Sequence, residues 1–303
     1  MSVLVTGGRG YLGRHVMRGL VEQGHHVVDY SRDLGPSSTN PSQVNVLGEL
    51  FDLPRFMDVI RRFEVDRIIH TAAQSHPDVS LEMPLTTIEA NVTGSCYVLE
   101  AARLTGIKRV VVFSSECAYG HTPPGIVSED TVLNPRTPYG VTKAATEMLG
   151  RAYNECFGLD VIALRSTQIY GPGQIMQEYV RDAIKTVLSG DAFVLPRGSD
   201  QKFQLVHVTD VARATIAACL VDGHEQSVYN VTGGEQTSFG DVLDLVTRLI
   251  PDARFEVGPG DFDYDVQGPF DIAAARRDLG YEPRMTLEQG LTEYIEWLRS
   301  ADF

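Results

Sequence analysis

Short runs of Val, Ile and Leu alternate along this chain with longer stretches whose apolar residues recur every three or four positions. The runs at 2–6, 26–30, 67–70, 110–114 and 161–165 are largely apolar, which predicts strands buried on both faces. Between them the spacing predicts amphipathic helices at 13–23, 52–63, 87–105 and 139–157. This rotation of strand and helix predicts an α/β fold, a doubly wound parallel sheet with helices on both faces. Beyond it come a Gly-rich polar region at 171–174, a stretch at 200–229 that returns to the sheet, and a mixed part at 231–303. No repeat or low-complexity tract is present. The expected plan is a large lobe from residues 1–165 plus 206–230 and a smaller mixed α/β lobe from 166–205 plus 231–303.

The first predicted strand runs straight into Thr6-Gly7-Gly8-Arg9-Gly10-Tyr11-Leu12-Gly13. Gly8, Gly10 and Gly13 satisfy G-x-G-x-x-G, and Gly7, Gly10 and Gly13 satisfy the related G-x-x-G-x-x-G. Glycine is needed where the backbone turns tightly and approaches a pyrophosphate with no Cβ in the way. The helix that follows aims free N–H groups and its positive end at that anion. A merely tight connection would also favour glycine, but the strand before and the helix after are the context a dinucleotide motif requires. The large lobe is therefore expected to be a Rossmann dinucleotide-binding domain and the smaller one a substrate-binding domain.

The second strand ends His26-Val27-Val28-Asp29-Tyr30-Ser31-Arg32. An acid at this end bonds ribose hydroxyls and selects NAD, whereas an arginine accommodates the 2′-phosphate of NADP. With Ser31 at the ribose and Arg32 beside it, the pocket suits NADP. A strand that stops earlier would bring Asp29 to the ribose and select NAD. Arg32 also reads as an ordinary solvated loop residue.

Thr137-Pro138-Tyr139-Gly140-Val141-Thr142-Lys143 opens a predicted helix with Tyr-x-x-x-Lys. A spacing of four puts both side chains on one face. An ammonium beside a phenol stabilises phenolate, so Tyr139 can exchange a proton with a substrate hydroxyl near neutral pH. The spacing alone is common. It gains weight from Ser115, in a buried run that breaks into polar residues at its carboxyl end, where open α/β sheets bind ligands. Ser115 is placed to hydrogen-bond a reacting oxygen.

Charge and composition narrow the partners. There are 40 acidic against 26 basic residues, a net charge of -14, so basic-face partners such as nucleic acid and anionic membranes are not expected. A small-molecule substrate is expected instead. No apolar run approaches the length of a membrane span, and no charged leader precedes the first strand, which predicts a cytoplasmic protein. Cys96, Cys117, Cys156 and Cys219 show no paired spacing, so reduced thiols are expected and neither disulfides nor a metal site.

With these residues in place the chain resembles an extended short-chain dehydrogenase/reductase of the NAD-dependent epimerase/dehydratase type. The landmarks are Thr6-Gly7-Gly8-x-Gly10-x-x-Gly13, Ile69-His70-Thr71-Ala72-Ala73, Asn91-Val92-x-Gly94, Ser114-Ser115-x-x-Ala118-Tyr119-Gly120 and Tyr139-x-x-x-Lys143. They continue with Arg165-x-x-x-Ile169-Tyr170-Gly171-Pro172-Gly173, Val206-His207-Val208-x-Asp210, Tyr229-Asn230-Val231 and Asp271-x-x-x-Ala275-x-x-x-Leu279-Gly280-Tyr281-x-Pro283. The resemblance implies that Tyr139 is the acid/base, that Lys143 binds the cofactor ribose and that Ser115 orients substrate. It implies further cofactor contacts at Gly7, Gly10, Tyr11, Leu12, Gly13, Ser31, Arg32, Glu49, Leu50, Thr71, Ala72, Ala73, Asn91 and Ser114. Register with the family puts Ser31 at the usual ribose-acid position and favours NADP. It also implies a homodimer through the helices following Asn91 and Tyr139.

Departures from the family bear on substrate and reaction. Nucleotide-sugar members carry an arginine just before Val206-His207-Val208 and another before the Asp271 motif, both on a diphosphate. Here the first slot reads Phe203, with Lys202 beside it, and the second region, 258–265, is acidic. Like-charge repulsion would oppose a diphosphate there, so a neutral polyol, a free sugar or sugar acid, or an amine-bearing substrate is expected. A solvated loop accounts for the same acids. Dehydratases of the family place Asp-Glu where this chain has Glu116-Cys117, so dehydration is disfavoured. Cys117 matches the carbon base of some epimerases, although a space-filling buried thiol explains it as well. The expected function is hydride transfer between nicotinamide and a secondary hydroxyl or ketone of a sugar-like or polyol substrate. The alternatives are a redox-neutral nucleotide-sugar 4-epimerase and a non-catalytic cofactor sensor; intact Ser115, Tyr139 and Lys143 argue against the sensor.

Overall fold

A computed structural model of the chain describes every residue except 34, 36–38 and 301–303. Its centre is a seven-stranded sheet in which every neighbouring pair is parallel. The strands are β1 (Ser2–Thr6), β2 (His26–Ser31), β3 (Gln43–Leu47), β4 (Arg67–His70), β5 (Arg109–Ser115), β6 (Asp160–Ser166) and a last strand, Val228–Val231. In space they run β3-β2-β1-β4-β5-β6 and then Val228–Val231. The helices between them are α1 (Tyr11–Glu22), α2 (Leu53–Arg62), α3 (Pro77–Glu82), α4 (Pro84–Ile88), α5 (Gly94–Thr105) and α6 (Pro138–Phe157).

The near-continuous apolar strands have a simple cause: the sheet is buried on both faces. Val3 and Val5 join one core with Val16, Met17 and Leu20 of α1 and with Val211, Ala214 and Ile216 of the helix Val208–Leu220. Leu4, between them, points the other way, into a core with Phe56 and Ile60 of α2 and Val98 and Leu99 of α5. A third core gathers Tyr170, Ile184, Phe193, Phe203, Phe239 and Tyr294. Around it lie two-stranded pieces, among them Phe193–Leu195 with Phe255–Val257.

The strands expected at 2–6 and 67–70 are found to the residue, and the other three extend by one residue at one or both ends. The stretch 200–229 does return to the sheet, through Val228–Val231 beside β6. Two features were not foreseen. β3 is an edge strand of half-buried residues, so it lacks the apolar run that marks its neighbours. The helical segment expected at 87–105 begins at Pro84 and passes through a π turn, Glu89–Thr93, before α5. That wider turn carries Asn91, buried against α6, and such turns often mark functional sites.

Candidate active site

The turn after β1 shows why glycine is needed. Gly7 holds a left-handed backbone, φ 68, which a side chain would strain. A Cβ on Gly13 would lie 2.3 Å from the Gly7 carbonyl oxygen and 2.7 Å from Gly8 Cα, so α1 can start this close only without one. Gly10 caps α1 with no side-chain hydrogen bond, leaving the N–H groups of Tyr11, Leu12 and Gly13 aimed outward as an anion cradle. Thr71 and Ala72, after β4, close on the turn: Thr71 Oγ1 donates to Thr6 O at 2.8 Å and to Gly7 O at 3.2 Å. The Tyr11 hydroxyl donates to Gly171 O at 3.2 Å.

β2 runs on through Ser31, so Asp29 lies two residues inside it and is 1% exposed. Its carboxyl abuts Gly8, and burial pushes it above the usual carboxylate range. Ser31 Oγ donates to Asp29 Oδ1 at 2.5 Å. Arg32 is exposed at the strand end, and Glu49 and Leu50 follow β3 on the same edge of the sheet. The Tyr30 hydroxyl bonds Glu49 O at 3.0 Å.

β5 and α6 bring the second group together. Tyr139 is 8% and Lys143 5% exposed, and Lys143 Nζ lies 5.4 Å from the centroid of the Tyr139 ring while donating to Phe113 O at 3.2 Å. The Ser115 hydroxyl favours the charged form of the Tyr139 phenol and accepts from Cys117 N at 3.2 Å. Lys143, Ala72, Ala73 and Asn91 border one cavity of about 10 Å³, the room of about one water. Asn91 is spent inside the protein, donating to Gln74 O and Thr142 Oγ1 and accepting from Gln74 N. Ser114 Oγ is buried without a partner. An unsatisfied hydroxyl at the carboxyl end of the sheet, two strands from the glycine turn, fits a bound dinucleotide.

The electrostatics of the pocket follow from burial. It lowers Lys143 to about 8 and pushes the Tyr139 phenol well above its ordinary value, with Cys117 adding to the rise. Glu116 is pushed up to about 8, first by burial and then by Asp265. Cys117 is pushed up to about 12 by burial and by Glu116, so it is a protonated thiol at neutral pH. Behind these groups lies a buried network. Arg165 of β6 bonds both carboxylate oxygens of Glu147 on α6 at 2.9 and 2.7 Å, the Tyr119 hydroxyl at 2.7 Å and Glu129 O at 2.8 Å. Tyr119 in turn donates to Asn230 Oδ1 at 2.7 Å. Arg165, Tyr119 and Asn230 appear among the sequence landmarks; Glu147, one turn beyond Lys143, looked like any other helix carboxylate.

The outer side of the cleft differs from expectation. Phe203, in the slot compared with an arginine, is 6% exposed in a cluster with Phe239 and Phe262. The acids of 258–265 are not an uncompensated cluster: Asp263 pairs with Arg197, and Asp265 with Arg136 at 3.3 Å. Phe262 stacks on Tyr179 with centroids 3.8 Å apart and planes 5° from parallel. His76 caps α3 and bonds Gln177 O at 2.9 Å, and His121 Nδ1 accepts from Val266 N at 2.9 Å. Among the described residues no group of His, Cys, Asp and Glu is arranged to hold a metal, and no helix is long and apolar enough to cross a membrane.

A glycine cradle at the tip of β1 and a Ser-Tyr-Lys group at the tip of β5 define a dinucleotide-dependent enzyme. The sequence model of the NAD dependent epimerase/dehydratase family matches residues 3–232, and the chain belongs to that family. It is an enzyme that uses NAD or NADP to act on the hydroxyl or keto carbon of its substrate. A dTDP-glucose 4,6-dehydratase of Streptomyces niveus is 31% identical, with 99% of this chain and 93% of that protein covered. A UDP-glucuronate 4-epimerase of Thermodesulfobacterium geofontis is 27% identical over 97% and 95%. Among solved structures, MoeE5 in complex with UDP-glucuronic acid and NAD is 30% identical and superposes with a TM-score of 0.89, covering 99% of both chains.

Proposed function

We propose that the enzyme moves hydride between nicotinamide and a secondary hydroxyl or ketone of a sugar-like or polyol substrate, with Tyr139 as acid/base. The observation that carries this reading is the convergence of Ser115, Tyr139 and Lys143 at the carboxyl end of β5. Ser115 holds the reacting oxygen, and Tyr139 Oη takes the hydroxyl proton as the hydride leaves carbon. Lys143 is placed to hold the nicotinamide ribose, its ammonium 5.4 Å from the centroid of the Tyr139 ring. Bound NAD or NADP would supply the hydride acceptor. Gly7, Gly10 and Gly13 with the first N–H groups of α1 hold the pyrophosphate, and Thr71, Ala72, Ala73 and Ser114 wall the same channel. NADP is the favoured form, on Ser31 in place of a carboxylate and Arg32 beside it. The solved neighbour holds NAD, and titration with both cofactors separates the two. Glu116, protonated near neutrality, is a candidate donor to substrate. Cys117, held as a thiol, packs the site.

A second reading, redox-neutral 4-epimerisation, draws on the 4-epimerase relative: the ketone turns over before hydride returns to its other face. Nicotinamide absorbance separates them, since net accumulation or consumption matched to turnover marks the oxidoreductase and turnover without it marks the epimerase. Tyr139→Phe should lower turnover about a hundred- to ten-thousandfold while leaving calorimetric cofactor binding intact; unchanged turnover removes the role.

Residues 1–165 plus 206–230 serve in this reading as the dinucleotide-binding domain and 166–205 plus 231–303 as the substrate-binding domain, whose last three residues lie outside those described. The third core supports the division, while the helix Ala273–Leu279 packs on the first. A homodimer through α5 and α6 is supported by exposed Leu104, Val141 and Met148, and sedimentation tests it. The acidic composition and four unpaired cysteines support a cytoplasmic location.

A further inference from the structure

We infer that the cleft takes a compact polyhydroxy substrate carrying no nucleotide diphosphate, because the loop 258–268 stacks its own ring on Tyr179 and engages the two arginines beside it. The inference rests on the hydride-transfer reading above and narrows its substrate.

A nucleotide asks a protein wall for an apolar plane to receive its base and for available cations to receive its phosphates. The ring nearest the loop is Tyr179, and Phe262 already lies on it at 3.8 Å, a separation that admits no ring between them. Phe262 is also so close to Gly198 that a Cβ there would meet its ring at 2.0 Å. The arginines beside the loop are Arg197 and Arg136, engaged by Asp263 and by Asp265. The loop is stitched down at both ends. Asp200 N donates to Gly260 O at 2.9 Å and Phe262 N to Gln201 Oε1 at 3.1 Å. At the other end Gln267 Nε2 donates to Glu116 O at 2.9 Å, beside the reaction centre. A nucleotide would have to exchange a ring stack and two ion pairs for equivalents of its own, against the charge of Asp261. A short polyol at Ser115 and Tyr139 displaces none of these.

The test titrates the cofactor-loaded enzyme with UDP and with dTDP by calorimetry. No saturable binding is expected from the wild type at about 1 mM. Phe262→Ala, which uncovers Tyr179, should raise UDP affinity about tenfold, with Phe262→Leu as the milder change should the first variant lose cofactor binding. Wild-type binding at or below about 100 μM overturns the inference, and so do variants as silent as the wild type. In parallel, neutral polyols, free sugars and sugar acids are screened by nicotinamide absorbance and product stereochemistry, which separates neutral from acidic substrates. Turnover of a UDP-sugar sinks the inference and leaves the hydride-transfer reading standing. A silent screen with no nucleotide binding sinks that reading and leaves the occluded wall.

Discussion

The inner wall of the cleft and its outer wall are made by different means. The inner wall is backbone geometry: the tips of parallel strands, a glycine turn and the first turns of α1 and α6. Its reacting groups stand where the sheet puts them. The outer wall is a loop folded onto its neighbours by side chains, through the Tyr179–Phe262 stack, two Arg–Asp pairs and Asp263 held at φ 58. A wall of the first kind keeps one chemistry through large sequence change, whereas a wall of the second kind changes its ligand with a few substitutions. Relatives 31% and 27% identical over nearly the whole chain are named for different reactions, a 4,6-dehydration and a 4-epimerisation.

The comparison breaks if the inner wall turns out to depend on side chains as well, and Arg165 is where that would show. It and Glu147 are 6% and 5% exposed, so Arg165→Met strands a buried carboxylate and should cost about 3–5 kcal/mol. Urea denaturation followed by circular dichroism reads this. Replacing both, Glu147→Gln with Arg165→Met, leaves no charge alone and should recover much of the loss. If the double variant is stable but its turnover stays low at saturating substrate, the pair positions α6, and the inner wall is not backbone alone.

Gly13→Ala sharpens the other half of the contrast. The added methyl meets the Gly7 carbonyl and Gly8 Cα, neither of which can rotate away, so a cost of about 1–3 kcal/mol is expected. Cofactor affinity should fall more than stability does, since widening the turn moves the phosphate cradle first. Cofactor titration unchanged by Gly13→Ala would mean that the dinucleotide does not sit on this turn.

The same contrast explains what could be read from the chain. The glycine turn, Ser115, Tyr139 and Lys143 were legible because each motif lies within a dozen residues, and strand or helix periodicity fixes where its members point. The outer wall joins Arg136 to Asp265 across 129 positions and Glu116 to Gln267 across 151, and no local spacing carries that. Asp-rich sequence at 258–265 therefore read as repulsive charge, when each of two acids had found a distant arginine. Phe203 was recognised as a lost arginine, but its burial under Phe262 depends on a loop some sixty residues away. Edge strand β3 and the π turn at Glu89–Thr93 were missed for a related reason, because half-burial and one extra residue per turn leave weak periodicity.

Glu116 is the point where the walls touch, and it gives the effect most specific to pH. In the folded protein its carboxyl titrates at about 8 against 4.5 for an unperturbed glutamate. Between those values the unfolded chain has released the proton and the folded one has not, so stability falls as pH rises through that window and is unaffected below it. Glu116→Gln carries no such proton. Its melting temperature relative to the wild type should climb from pH 4.5 to about 8 and then level. Asp265 is the second cause of the shift, so Asp265→Asn in the wild-type background should lower the upper edge of the window. An edge that stays in place would mean that the loop does not bear on the reaction centre, and the two walls act separately.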